Sequence, residues 1–198
     1  MNSNADGADV KSWFVLRVTY QRELIAKEKL LAIGIECFIP TQKVKQIGKS
    51  GKSEWKIVPA LHNYIFVHST REKIDNIKKE YIPWLRYVIS PNRENGKSIM
   101  TVQEKQMQSF IAIAGNSDER VLYLNPDEIN LTHGDRVRVL GGPFQGAEGI
   151  LIKIQNKRDK RVVVKIDGIT AVATTSIPST LIEKISNTTH QPNQYEKY

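Results

Sequence analysis

Gly134-Asp135-Arg136-Val137-Arg138-Val139-Leu140-Gly141-Gly142-Pro143-Phe144-Gln145-Gly146-Ala147-Glu148-Gly149 is the most informative stretch of the chain. Gly134-Asp135 suits a turn into a strand, and Arg136 to Leu140 reads as that strand. Gly141-Gly142 and Gly146 allow positive φ in the loop that follows. Gly149 permits a bend or a close backbone approach in the next strand. The stretch lacks a Lys-Ser/Thr ending and a following helix, so it does not read as a phosphate-binding loop.

Downstream, Gly149 to Ile154 reads as a second strand. Arg161 to Ile166 and Ile169 to Thr174 are expected to pair across Asp167-Gly168, a favoured type I′ dipeptide. Leu181 to Ile185 closes the series. Five short strands in about 55 residues, with no helix, predict a small barrel over 131–186. Residues 187–198 are polar and expected to form a flexible tail.

Upstream the pattern differs. Trp13 to Thr19 is a β-branched and aromatic strand, and Gln21 to Ile33 is a helix. Its apolar stripe is Ala26, Leu30 and Ile33, with Glu23 and Lys27 paired at i, i+4 and Gly34 ending it. Residues 35–47 are extended but interrupted at Pro40, and residues 48–53 form a turn. Strands follow over 54–58, 63–68 and 84–89. Ser69 with Glu72, and Thr101 with Glu104, have capping-box spacing for two further helices. Met107, Phe110, Ile111 and Ala114 define one apolar face of the second, which reads as core. The order β-α-β-β-β-α-β-α predicts an α+β domain over 11–116, a mixed sheet with helices packed on it. Residues 1–10 are expected to be disordered, and residues 117–130 a linker with local structure around Val121 to Leu124.

The 198-residue chain carries a formal charge of +8. Residues 1–116 hold 18 Lys+Arg against 11 Asp+Glu, whereas residues 117–198 hold 11 against 10. The two halves therefore face different partners, and the first suits a polyanion or an acidic protein. No apolar run approaches the roughly 20 residues needed to span a bilayer. The polar N-terminus is no secretory signal, so a cytoplasmic, non-membrane protein is expected. Cys37, the one cysteine, reads as a core thiol. His62, His68, His133 and His190 have no Cys or second His at metal-ligand spacing. With no nucleophile elbow or dinucleotide fingerprint either, the expectation is a non-enzyme with no metal or cofactor.

Two surfaces stand out. Lys43, Lys45, Lys49, Lys52 and Lys56 flank a hairpin turn against a single Glu54. They suit sequence-tolerant contact with a phosphate backbone through Lys45, Lys49 and Lys52. Residues 58–67 are nearly uncharged. Strand alternation puts Ile65 and Val67 on one side and Tyr64 and Phe66 on the other. Either both sides are covered by helices, or one meets a partner.

These residues resemble a known family. Trp13-Phe14-Val15-Leu16, Glu23, Leu30, Gly34-Ile35, Phe38-Ile39-Pro40 and Leu61-His62-Asn63-Tyr64-Ile65-Phe66-Val67 resemble the NusG N-terminal (NGN) domain. The stretch 134–149, notably Gly134, Asp135, Gly142, Pro143, Phe144, Gly146 and Gly149, resembles a KOW motif of a small SH3-like barrel. Leu61-His62-Asn63-Tyr64 stands where the family often has Phe-Pro-Gly-Tyr, so Asn63 must adopt a backbone suited to glycine. That departure and the long basic hairpin are more similar to UpxY-type antiterminators than to a housekeeping NusG. The resemblance implies a monomeric transcription elongation or antitermination factor that closes the RNA polymerase clamp without chemistry of its own. It would bind the β′ clamp helices, through Leu61, Tyr64, Phe66 and Trp13, and reach the β subunit. Arg17, Tyr20, Gln21 and Arg22 lie where relatives face non-template DNA. The KOW half would recruit Rho, a ribosomal protein or nascent RNA. The competing reading is an RNA-binding or ribosome-associated KOW protein, which would carry its charge on the barrel.

Overall fold

The computed structural model describes residues 10–47, 51–92, 96–116, 121–124, 134–153 and 160–185. The expected disordered N-terminus, apart from Val10, most of the linker and the C-terminal tail lie outside them. The fold is α+β.

β1 (Ser12–Val18) is the spine of the first sheet. It is followed by α1 (Glu23–Ala32), β2 (Glu36–Phe38), β3 (Thr41–Ile47), β4 (Ser53–Pro59), β5 (Tyr64–Ser69), α2 (Arg71–Glu80) and β6 (Leu85–Tyr87). Then come β7 (Ile89–Asn92), β8 (Gly96–Ile99), β9 (Thr101–Val102) and α3 (Glu104–Ala114). The sheet order is β2-β5-β1-β6, with β9 also on β1, all antiparallel. β3–β4 and β7–β8 are separate two-stranded hairpins.

Residue parity divides the core. Phe14, Leu16 and Val18 join Ile65 and Val67 beneath Ala26 and Leu30 of α1 and Ile74 of α2. Trp13 and Val15 join Phe66 beneath Met107 and Phe110 of α3. A run such as Trp13-Phe14-Val15-Leu16 is apolar throughout because the strand is buried on both faces. Gly34 (φ +70°) ends α1, and the Ile35 N–H donates to the Leu30 carbonyl at 2.9 Å, satisfying an otherwise orphaned group.

Several local expectations are corrected. Thr70, not Ser69, caps α2, accepting from the Lys73 N–H at 3.3 Å, because Ser69 is held in the β5 ladder opposite Ser12. Thr101 likewise pairs with Phe14 in β9, and Gln103 occupies the N-cap of α3 without a side-chain cap bond. Ile33 is exposed rather than part of the buried stripe, and Cys37 is half-buried. Burial pushes the Cys37 thiol up to about 11, which suits an unreactive group.

The second sheet contains β10 (Leu122–Leu124), β11 (Arg136–Val139), β12 (Glu148–Lys153), β13 (Lys160–Ile166), β14 (Thr170–Ala173) and β15 (Ile182–Lys184). Its order is β10-β14-β13-β12-β11-β15. The closed small barrel is corrected here: among the described residues no pairing joins the edge strands β10 and β15. The chain segment before the motif contributes β10, which occupies the edge of β14. The β13–β14 connection is also corrected, since Ile166 pairs with Thr170 across three residues. Of these only Gly168 has positive φ, whereas a type I′ turn needs two such residues.

The two sheets share α3. Its Met107, Phe110 and Ile113 belong to one continuous cluster with Val137, Phe144, Val162 and Val172 of the second sheet. Polar bonds fasten this junction. Gln106 Nε2 donates to the Lys165 carbonyl at 2.6 Å, and the Glu148 N–H donates to Ser109 Oγ at 3.1 Å. The Tyr123 hydroxyl of β10 lies 3.4 Å from the Thr41 and Ala114 carbonyls, and burial pushes it up to about 12.

Candidate functional site

The site forms where the β1–α1 junction meets the loop before β5. Asn63 sits at φ +68°, the left-handed conformation expected of the residue in the glycine position. Three bonds hold it there. Its N–H donates to Glu23 Oε1, its carbonyl accepts from the Val18 N–H at 2.8 Å, and its Oδ1 accepts from the Gln21 N–H at 3.4 Å. Glu23 is buried, so its carboxylate serves this loop instead of the expected helical pairing with Lys27. Tyr20 and Gln21 also have positive φ, +60° and +53°. Two adjacent non-glycine residues there cost on the order of 1–3 kcal/mol each, and such outliers persist where surrounding structure over-determines them.

The strained junction displays aromatic and cationic side chains. Tyr20 is 82% exposed, with the Arg22 guanidinium 5.2 Å from its ring centroid. The same guanidinium lies 5.5 Å from the Trp84 ring. Arg17 lies 5.5 Å from the Tyr64 ring, and its Nη2 donates to the Tyr64 hydroxyl at 3.1 Å. Register places Tyr64, Arg17 and Arg86 in one row across β5, β1 and β6. Directly paired residues share a sheet face, so the row presents an aromatic ring beside the Arg17 guanidinium, while Arg86 Nη1 turns back to donate to the Pro83 and Leu85 carbonyls. This arrangement can neutralise phosphates and offer a ring to an apolar or aromatic partner.

Of the residues expected to meet the polymerase, Leu61 and Tyr64 are half-buried and pack against the cluster beneath α3, Tyr64 as a member of this row. Trp13 and Phe66 are 3% and 0% exposed beneath α3. The expectation of partner contact through those two is corrected: they form the core behind the surface. Trp13 stacks on His68 at 4.9 Å between centroids. Arg22 lies against Tyr20 and Trp84, Gln21 bonds to Asn63, and Arg17 pairs separately with Tyr64 on the α3 face of β1. Lys45 and Lys52 belong to the separate β3–β4 hairpin, and Lys49 lies outside the described residues. Trp84 and Arg86 join Arg22 and Arg17 through tertiary structure, Trp84 beneath the Arg22 guanidinium and Arg86 opposite Arg17. Strand alternation could flag Arg86 as outward-facing, but its place beside Arg17 is set by a non-local register.

In the second sheet Gly142 and Gly146 take positive φ, and Phe144 between them is buried. A Cβ on Gly149 would run into the Val163 carbonyl oxygen, so this residue allows the close approach of β12 and β13. Gly134 and Asp135 precede β11, where Asp135 Oδ2 pairs with Lys184 Nζ at 2.8 Å, and the Pro143 carbonyl accepts from Asn116 Nδ2 at 3.1 Å. Glu148, its side chain 7% exposed, is the charge node of the junction. Its Oε1 accepts from Arg138 Nη2 at 2.6 Å and lies 3.5 Å from Lys105 Nζ of α3. The Arg138 hydrogen bond, against the opposing effect of burial and with the charge of Lys105 adding, holds the Glu148 carboxyl below its ordinary range. A cleft of about 600 Å³ opens beside Glu148, with Gln106, Ser109 and Val163 in its walls and no member of the Tyr64 row among them. Among the described residues no group of His, Cys, Asp and Glu is arranged to hold a metal, and no helix is long and apolar enough to cross a membrane.

No curated protein matches the chain significantly. The family model described as transcription termination factor nusG matches residues 11–111, and the KOW motif model matches residues 133–165. The first match covers β1 through most of α3, and the second covers β11, β12 and most of β13. With both matches in this order on one chain, the protein belongs to the NusG family of transcription elongation and termination factors.

Proposed function

We propose that this NusG-family protein binds RNA polymerase through its first domain (residues 11–116), stabilises the closed clamp and suppresses pausing or termination. The observation that carries this reading is the Leu61–Tyr64 surface, held by the Asn63 loop at the end of a sheet face whose centre, Trp13, Val15 and Phe66, is buried. Leu61 and Tyr64 would meet the β′ clamp helices, and the far edge of the domain would reach the β subunit. A factor that prefers the closed clamp shifts the population toward it, about tenfold for each 1.4 kcal/mol of preference, and needs no chemistry of its own.

Arg17, Tyr20, Gln21 and Arg22 would face non-template DNA beside the docked polymerase. The second domain (residues 131–186), with β10 from the segment 117–130 added to its sheet, would recruit Rho, a ribosomal protein or nascent RNA. Specialisation as a UpxY-like antiterminator is supported by Leu61-His62-Asn63 and by the basic β3–β4 hairpin. The reading as a ribosome-associated KOW protein is less favoured, because the excess charge lies on the first half. Incubation of the tagged full chain with core polymerase and, separately, with ribosomes tests the choice. Polymerase is expected to co-elute; retention of ribosomes without polymerase overturns the proposal.

A further inference from the structure

The β3–β4 hairpin belongs to neither core, yet it carries exposed apolar side chains. Trp55 is 65% exposed, Ile57 56% and Ile47 77%. The register sorts them. Lys45 pairs with Trp55, Lys43 with Ile57 and Ile47 with Ser53, so all five named cationic and apolar side chains share one face. Gln46, Glu54, Val44 and Lys56 occupy the other. Lys45 Nζ lies 5.7 Å from the Trp55 ring centroid. Successive same-face residues are about 7 Å apart along a strand, so the lysines form a short cationic row beside the indole and Ile57.

We propose that this face is a stacking site for unpaired bases of single-stranded nucleic acid, with Trp55 as the platform and Lys43 and Lys45 as phosphate partners. Two features select this ligand class. Lys43 and Lys45 on this face, with no acidic residue paired among them, favour a polyanion over an uncharged apolar ligand. An exposed indole among them offers a π-face that any unpaired base can use, whereas bases in a duplex are already stacked on their neighbours. The face offers no fixed array of acceptors and donors for reading base edges, so recognition tolerates sequence. The hairpin is a separate sheet from the one that holds Tyr64, and the inference stands without the polymerase reading.

The test uses the full chain alone, a labelled oligo(dT) of about 20 nucleotides and a duplex of the same length at low salt. Trp55→Leu keeps an apolar side chain but removes the aromatic face. It is expected to weaken oligo(dT) binding about tenfold and leave duplex binding unchanged, while Trp55→Phe stays within about threefold of the original chain. Thermal melting of each variant establishes that the chain remains folded. In a Trp84→Phe background, oligo(dT) should quench the exposed Trp55 emission. Trp55→Leu binding oligo(dT) as the original chain does, or losing single-strand and duplex binding by the same factor, overturns the proposal. So does an original chain that binds no oligo(dT), which would leave the exposed face to an acidic protein partner. None of these outcomes bears on co-elution with polymerase.

Discussion

Val15 with Phe66, and Arg17 with Tyr64, are successive same-face pairs on β1 and β5, yet they meet opposite environments. The first pair is sealed beneath α3, which is itself backed by the second sheet. The second pair emerges past that cover as a guanidinium donating to a phenol. A sheet face is thus not buried or exposed as a unit. Its character changes within about 7 Å, where the covering helix ends. The opposite face shows no such break, since Phe14, Leu16 and Val18 are all buried. Alternation along the strand identifies the face, but only the position of α3 says which residues on it remain free for a partner.

Substitutions can break this contrast in order of expected size. Phe66→Ala should remove a fully enclosed ring and lower folding stability by roughly 3–5 kcal/mol, read by chemical denaturation. An effect below about 1 kcal/mol would place Phe66 outside the core. Tyr64→Ala should instead leave the melting temperature nearly unchanged and weaken polymerase binding by about 2 kcal/mol, roughly 30-fold. If it melts far lower while the folded fraction binds normally, the two residues are alike and the contrast fails.

Asn63→Ala probes the loop that presents Tyr64. Alanine at positive φ should cost about 1–2 kcal/mol, whereas Asn63→Gly, which also forfeits the Gln21 contact, should cost less. Equal losses in both would mean that the side-chain bond, not the backbone conformation, sets the cost. Glu148→Gln sharpens the other side of the comparison, the cover. Its carboxyl is held low mainly by Arg138, so the charged form is favoured in the folded state. That contribution is present above the ordinary carboxylate range and is lost as pH falls through the lowered folded value. The partner cations are substantially exposed, so about 1 kcal/mol is expected. Glu148→Gln should flatten the acid limb of the stability profile; an identical limb would remove Glu148 from the account of the junction.

Much of the first domain was legible because its signals are local. The apolar run at 13–16, the glycine ending α1 and the need for a left-handed residue at Asn63 each follow from a few neighbouring residues. The capping residues were displaced because Ser69 and Thr101 are held by strand pairings with Ser12 and Phe14, more than 50 positions away. The open second sheet depends on β10 joining the edge of β14, again a distant choice. The junction had one unread local sign. In α3 the apolar residues Met107, Phe110, Ile111, Ile113 and Ala114 wrap beyond a single stripe, as expected of a helix covered on two sides. For the site, Arg17 to Arg22 could be grouped by proximity in sequence, while Trp84 and Arg86 reach it only through the β1–β6 register.

Amide hydrogen exchange of the full chain, with and without core RNA polymerase, tests most directly which end of the molecule docks. New protection is expected in the short loops 19–22 and 60–63 that frame Tyr64, with β5 and α1 protected in both states by their own pairing. Protection confined to β11 through β15, with those two loops exchanging as in the free chain, would contradict docking through the Tyr64 end.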